Sequence, residues 1–206
     1  MSAMCNDQPR DHHGNPADLN EYIARLDNPA RDEWQRPDVV LAALGINQTS
    51  VVCYVGAGTE YFALRLAKLA AQVYAVDVEP QLLSLLRDRV ASAGLQNVTP
   101  VLGLPHDPLV PAAVCDLILV VNVFHHVPDK AAYLRRLQAT LRPGGRVAII
   151  DFHKRELPVG PPVDHKFARE DCLEQIRAAG LQLVTEHDLL PYQYFLVMSP
   201  KESHVR

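Results

Sequence analysis

VVCYVGAGTEYFALRLA, residues 51–67, reads as an apolar strand, a tight glycine turn and the start of an amphipathic helix; YAVDVEP at 74–80 follows, with Asp77 closing a second apolar run. Gly56 and Gly58 permit a sharp backbone turn and let a ligand approach without meeting a Cβ, and the helix that follows presents unpaired N–H groups at the same place. An acid about 20 residues beyond such a turn is able to accept from both hydroxyls of a ribose. Together these features predict a Rossmann-like nucleoside site. Of two related patterns, the first is disfavoured and the second is absent. A dinucleotide loop needs Gly or Ala where this chain has Tyr61, and no G-x-x-x-x-G-K-[ST] run occurs.

Outward from this stretch, strand and helix patterns alternate with short connections, which predicts a mostly parallel sheet covered on both faces. Strands are expected at 51–55, 73–77, 98–102, 116–121 and 146–151. The helices between them are carried by Phe62, Leu66 and Leu69, by Leu82, Leu86 and Val90, and by Leu134, Leu137 and Leu141. Gly94 and the Gly144–Gly145 pair mark helix ends, and Pro80 suits a first helical turn. A helix at about 169–179, ended by Gly180, precedes apolar runs at 181–190 and 192–199 whose short connection at Pro191 predicts an antiparallel pair. The expected fold is α/β, Rossmann-like and doubly wound, a mostly parallel seven-stranded sheet finished by a C-terminal antiparallel β-hairpin.

Upstream, residues 1–17 are polar, include His12 and His13, and are expected to form a mobile tail. Residues 18–47 are expected to form a helical cap. Leu19, Tyr22, Ile23 and Leu26 make one stripe, and Val39, Val40, Ala43 and Leu44, after Pro37, make another. Between them lies the only tryptophan, Trp34, readable as a lid residue or as an anchor for the helix. Residues 48–206 are expected to form the main domain.

The glycine turn, together with DLILVVNVFHHVPD (116–129) and LRPGGRVAIIDF (141–152), resembles the class I S-adenosylmethionine-dependent methyltransferases over most of the chain. The resemblance implies S-adenosylmethionine as cofactor and methyl transfer to a small-molecule acceptor. Two positions depart from the superfamily's first motif: Tyr54 stands where an acid is usual and Glu60 where a third glycine is usual. In the family that acid contacts the amino end of the cofactor's methionine part, and the glycine leaves room beside it. Two readings stay open. Glu60 supplies from the loop the carboxylate that Tyr54 does not, or the chain is a non-catalytic or repurposed member with weakened cofactor binding.

Ligands of open α/β sheets bind outside the carboxyl ends of the strands, where strand order reverses. That rule collects Gly56, Ala57, Gly58 and Glu60 after the first strand, Asp77 and Val78 after the second, and His106 and Asp107 after the third. Asn122, His125 and His126 follow the fourth strand and Asp151 closes the fifth. Asp77 is assigned to the ribose, its alternative as a helix cap being weakened by Glu79, which stands nearer the helix start. The resemblance implies an acid for the adenine amino group, Asp107 first and His106 second, each alternatively a loop-turning residue. His125, His126 and Asp151 are the catalytic candidates, because a base is needed when the methyl acceptor carries a proton and histidine suits that task. Packing is the alternative role for both histidines. The irregular run 151–167, with Pro158, Pro161 and Pro162, is expected to form the acceptor pocket, with His153, Lys154, His165, Tyr192 and Tyr194 as candidate lining.

Composition sets the remaining bounds. The chain has 206 residues, 48% hydrophobic and 21% charged, as in an ordinary globular domain, and its net charge of -4 supplies no basic field for nucleic acid. No run approaches the ~18 apolar residues of a membrane span. A cytoplasmic protein is expected. Cys5, Cys53, Cys115 and Cys172 contain no C-x-x-C pair, and no tight spacing joins His153 to His165, so no metal site is expected.

Overall fold

The computed structural model describes residues 18–201, so the tail expected at 1–17, with Cys5, His12 and His13, lies outside the described residues. Three N-terminal helices, α1 (Leu19–Leu26), α2 (Arg31–Gln35) and α3 (Pro37–Leu44), precede the sheet. The strands are β1 (Val51–Val55), β2 (Gln72–Asp77), β3 (Val98–Leu102), β4 (Cys115–Val121), β5 (Leu141–Phe152), β6 (Leu181–His187) and β7 (Gln193–Pro200). Helices α4 (Ala63–Ala67), α5 (Pro80–Ser92), α6 (Lys130–Thr140) and α7 (Arg169–Ala178) connect them.

All seven strands form one sheet in the order β3-β2-β1-β4-β5-β7-β6. Neighbours from β3 through to β5 are parallel, whereas β7 lies antiparallel between β5 and β6. The expected mixed sheet and its terminal antiparallel pair are therefore present. Strand order reverses between β1 and β4, which opens a crevice at their carboxyl ends.

Alternation along each strand divides the core in two, because successive side chains point to opposite faces. Val52, Tyr54, Leu117 and Leu119 pack with Leu41, Leu44, Leu66 and Leu86 on one face; Cys53, Val55, Ile118 and Val120 pack with Leu134, Leu137 and Ile176 on the other. Burying such a leucine contributes about 1.5–3 kcal/mol. That burial, rather than propensity, holds α4, since five residues are too few for an independent helix. Cys53, Cys115 and Cys172 are buried and unbridged.

Several boundaries differ from expectation. β5 starts at Leu141 instead of 146, because Leu141 pairs with Cys115 before a register shift that lets Arg146 pair with Leu117. Leu141 is buried, so its apolar character suits a strand as well as the helix that was expected to carry it. Leu69 falls beyond α4, and Val39 faces outward at 43% exposure while Val40, Leu41 and Leu44 turn inward. The stretch expected as a connection between the N-terminal stripes contains α2, separated from α3 by Arg36 at φ 44.

Candidate functional site

The turn after β1 folds back onto β2. Gly56 N and Ala57 N both donate to Val76 O, at 2.8 and 2.9 Å, and Gly58 N donates to Asp77 Oδ2 at 2.8 Å. Gly56 sits at φ 70, and a Cβ there would lie 2.1 Å from Val123 Cγ2, so this position needs glycine twice over. At Gly58, φ 57, a Cβ would come within 3.1 Å of Leu26 Cδ1, which places the end of α1 directly over the turn.

Asp77 Oδ1 also accepts from Glu79 N at 3.0 Å, while Glu79 caps α5 by accepting from Gln81 N. The cap role thus belongs to Glu79. Burial raises the Asp77 carboxyl above its ordinary range, against the opposing pull of the Gly58, Glu79 and Val78 N–H groups. Oδ2 accepts from Gly58 N and Oδ1 from Glu79 N, and the carboxylate keeps lone pairs for further donors.

A cavity of about 1000 Å³ opens beside this turn. The expected residues Gly56, Ala57, Gly58, Asn122, His125 and His126 line it. Asp77 stands behind Gly58 and Asp151 behind His125, each hydrogen-bonded to a lining residue. Glu60, Val78, His106 and Asp107 are not part of the lining. Asp107 accepts from Leu109 N at 2.9 Å and faces Arg136 at 3.9 Å, which turns its own loop; His106 is exposed.

Glu60 points to Arg89 at 3.4 Å, and Arg89 in turn grips Asp27 through both nitrogens at 2.9 and 2.5 Å. Thr59 Oγ1 donates to the same Asp27 at 2.6 Å. The Arg89 guanidinium holds the Asp27 carboxyl below its ordinary range. Next door, the Tyr61 hydroxyl donates to Asp32, which pairs with Arg65 at 3.0 Å, and the Tyr61 ring lies under the guanidiniums of Arg31 (3.8 Å) and Arg65 (4.5 Å). Residues 59–61 therefore fasten the α1–α2 segment to the sheet, and in this arrangement the Glu60 carboxylate faces away from the cavity.

On the opposite wall, Asp151 is fully buried at the end of β5 and its carboxylate receives His125 N at 3.0 Å, His125 Nδ1 at 2.8 and 2.9 Å and Phe152 N at 2.8 Å. A carboxylate can only accept, so Nδ1 carries the ring proton and Nε2 is the basic atom. His125 is the inward histidine, its side chain 4% exposed, and the exposed His126 ring lies 4.0 Å from it. Lys130 Nζ donates to Val127 O and His125 O, bracing the turn that carries both rings; burial lowers its ammonium's proton affinity.

Gln35, Asn122 and Gln193 close a ring of three amides. Asn122 Nδ2 donates to Gln35 Oε1 at 3.0 Å, Gln35 Nε2 to Gln193 Oε1 at 3.1 Å and Gln193 Nε2 to Asn122 Oδ1 at 2.5 Å. This ring ties α2 to the ends of β4 and β7 and fixes Asn122 at φ 56. Above it, the Trp34 ring packs on Phe152 at 5.6 Å, and residues 158–162 complete an apolar wall. Gly160, at φ 90, lies so close to the Phe152 ring that a Cβ would approach it to 2.8 Å. Of the expected acceptor residues, Tyr192 and His165 line the cavity, whereas His153 and Lys154 are outside the lining and Tyr194 is buried beneath it. Burial lowers the His153 pKa and raises that of Tyr194. Arg31, Gln35 and Gln193 were not anticipated. Among the described residues no group of three or more His, Cys, Asp or Glu side chains is gathered to hold a metal ion, and no helix is long and apolar enough to cross a membrane.

A sheet of this order, with a glycine turn and a terminal acid flanking its switch point, is the class I methyltransferase fold, and the chain is similar to class I S-adenosylmethionine-dependent methyltransferases. The sequence pattern of the family described as "Methyltransferase domain" matches residues 53–149. The chain is 26% identical over 163 residues to the uncharacterized methyltransferase YdaC of Bacillus subtilis, spanning 78% of this chain and 84% of that protein. It is 34% identical over 124 residues to a protein-L-isoaspartate O-methyltransferase of Methylorubrum extorquens, covering 60% of this chain and 48% of that one. A SAM-dependent methyltransferase from Aquifex aeolicus superposes with a TM-score of 0.82 at 25% identity, over 86% of this chain and 96% of that structure.

Proposed function

We propose that this protein binds S-adenosylmethionine in the 1000 Å³ cavity and methylates a hydroxyl oxygen of a small apolar acceptor, with residues 18–47 as the cap over the site. The observation that carries this reading is the His125–Asp151 pair on the cavity wall, a preset base within a methyltransferase fold. The residues present fit the cofactor. Gly56 and Gly58 add no Cβ to the turn, Asp77 keeps lone pairs for ribose hydroxyls, and Arg31 offers a buried Nε that meets no acceptor. His106 and Asp107 are outside the lining, and this reading assigns neither of them to the adenine.

When bound, the cofactor supplies an electrophilic methyl group on a sulfonium. Trp34, Phe152 and residues 158–162 hold the acceptor's apolar body and exclude water, which keeps its hydroxyl in line for displacement. His125 Nε2 takes the hydroxyl proton as the oxygen gains its methyl group, and Asp151 stabilises the resulting imidazolium. Such a base contributes typically ~10²–10⁴ in rate.

The test is formation of S-adenosylhomocysteine from S-adenosylmethionine across a panel of phenols and aliphatic alcohols, with wild type and His125→Gln. The reading expects turnover with at least one flat phenol, lost in the variant while cofactor affinity is kept. Equal turnover in His125→Gln would remove the base from the mechanism.

A further inference from the structure

Arg36 joins α2 to α3 at φ 44, a backbone setting that strains an arginine and would suit a glycine. Its side chain lines the cavity, and Nη1 donates to Leu189 O at 3.0 Å in the connection between β6 and β7. Glu33 and Asp38 lie near Arg36 in the chain and Asp188 adjoins Leu189, yet no ion pair engages Arg36 among the described residues. A guanidinium presents five N–H groups in a planar fork, so one bond to a carbonyl leaves the Nε–Nη2 edge unengaged. That edge matches the two oxygens of a carboxylate. Other basic groups of the lining are occupied. Arg31 bonds the Tyr54 phenol and lies over the Tyr61 ring at 3.8 Å, Arg25 lies over the Tyr22 ring, and His165 faces Asp164 at 4.0 Å. Glu33 is the one carboxylate of the described lining, and it is exposed, so water screens its field at Arg36.

Strand order sets the span between this cation and the base. Along the sheet's carboxyl edge, β4 leads to His125, β5 ends at Phe152, and Pro191 and Tyr192 stand just before β7. β5 lies between β4 and β7, so two strand spacings, roughly 10 Å, separate the outer pair. Phe152, with Trp34 packed on it at 5.6 Å, occupies the middle. A planar ring against this wall therefore has His125 on one side and the Arg36–Leu189 contact on the other. We propose that Arg36 reads a carboxylate on the methyl acceptor, and that the substrate class is an aromatic hydroxy acid with its hydroxyl and its carboxylate at opposite ends. The carboxylate is held and does not react. The inference rests on the proposed acceptor pocket and refines it, since the apolar body now ends in an anion away from the reacting oxygen.

Two matched pairs of probes test this by calorimetry on protein loaded with S-adenosylhomocysteine: para-hydroxybenzoate with para-hydroxybenzamide, and para-hydroxyphenylpropanoate with its amide. At least one acid should bind wild type about 5-fold or more tighter than its amide, the upper end for an exposed ion pair. That preference should vanish in Arg36→Gln and Arg36→Gly and shrink in Arg36→Lys, which keeps the charge without the fork, while the amides bind all four proteins alike. Arg36→Gly also relieves the strain at φ 44, so it separates loss of the guanidinium from loss of the fold. The wild-type comparison of acid with amide stands even if a variant folds poorly. The proposal is overturned if acid and amide bind wild type alike, if neither pair binds, if Arg36→Gln keeps the preference, or if it weakens amide and acid equally, as a purely structural arginine would. Failure to take up S-adenosylhomocysteine is a separate result against the cofactor reading, and the same pairs titrated without it still decide the Arg36 contact. Equal turnover in His125→Gln would remove the base and leave an Arg36-dependent preference standing.

Discussion

Asp151→Asn replaces a buried carboxylate by an amide of nearly the same shape, so its effect is confined to hydrogen bonding. Oδ1 receives Phe152 N at 2.8 Å and Oδ2 receives His125 N at 3.0 Å, with His125 Nδ1 between them at 2.8 and 2.9 Å. Asparagine offers one acceptor and one NH₂, so in either orientation a buried backbone N–H meets a donor. One unsatisfied buried donor costs about 1–3 kcal/mol. An amide NH₂ beside Nδ1 also favours the tautomer with the proton on Nε2, which removes the basic atom from the cavity side. Urea unfolding followed by circular dichroism should show the variant less stable by about 1–3 kcal/mol, and ¹⁵N spectra of the imidazole should show the proton moved from Nδ1 to Nε2. Once an acceptor is known, turnover should fall by ~10²–10⁴. A variant within about 0.5 kcal/mol of wild type that keeps its proton on Nδ1 refutes the reasoning, since that is the scale of an inconsequential surface change.

Gly56→Ala combines left-handed strain of about 1–2 kcal/mol with overpacking of about 1–3 kcal/mol against Val123; thermal unfolding should register the loss, and adding Val123→Ala should return the second part but not the first. Arg89 lowers the Asp27 pKa, so the stabilisation from that pair is complete above the ordinary Asp value of 3.8 and disappears as pH falls through the lowered native value. Fluorescence of Trp34, the only tryptophan, should therefore stay flat down to about 3.8, and Arg89→Ala should shift the acid transition upward; an unshifted transition counts against the fastening role. Asp77 has the opposite sign: its pKa is raised in the free protein, so its contribution to stability is full below 3.8 and lost as pH rises through the native value. Ribose hydroxyls donate to the ionised form, so ligand binding near that pKa should release a proton, seen as a buffer-dependent heat; proton uptake would contradict the assignment.

Local patterns carried most of the fold. A continuously apolar strand, two glycines that must reach positive φ, and an acid at the next strand end are all written within 27 residues of chain, 51–77, and the hairpin is announced by two apolar runs around Pro191. What escaped the sequence is contact over distance. Gln35 and Gln193 meet across 158 positions with no spacing to announce it, and Arg31 lies in a stretch read as a connection. His125 and His126 are neighbours of one type, and the choice between them is made by Asp151, 26 residues away. Glu60 was legible as a departure, but its direction is set by Arg89 on α5. Leu141 was placed in a helix because an apolar residue fits either element, and only its pairing with Cys115 decides for the strand.

The central claim is that the cavity beside the 56–58 turn is a nucleoside site with Asp77 at the ribose. Titrating wild type and Asp77→Ala with S-adenosylhomocysteine by calorimetry tests it most directly. The account predicts one site per chain in wild type and an affinity about 10- to 150-fold weaker in Asp77→Ala, the equivalent of 1.5–3 kcal/mol for hydrogen bonds to a charged group. Absence of binding to the folded wild type, or an Asp77→Ala protein that binds as tightly as its parent, would contradict it.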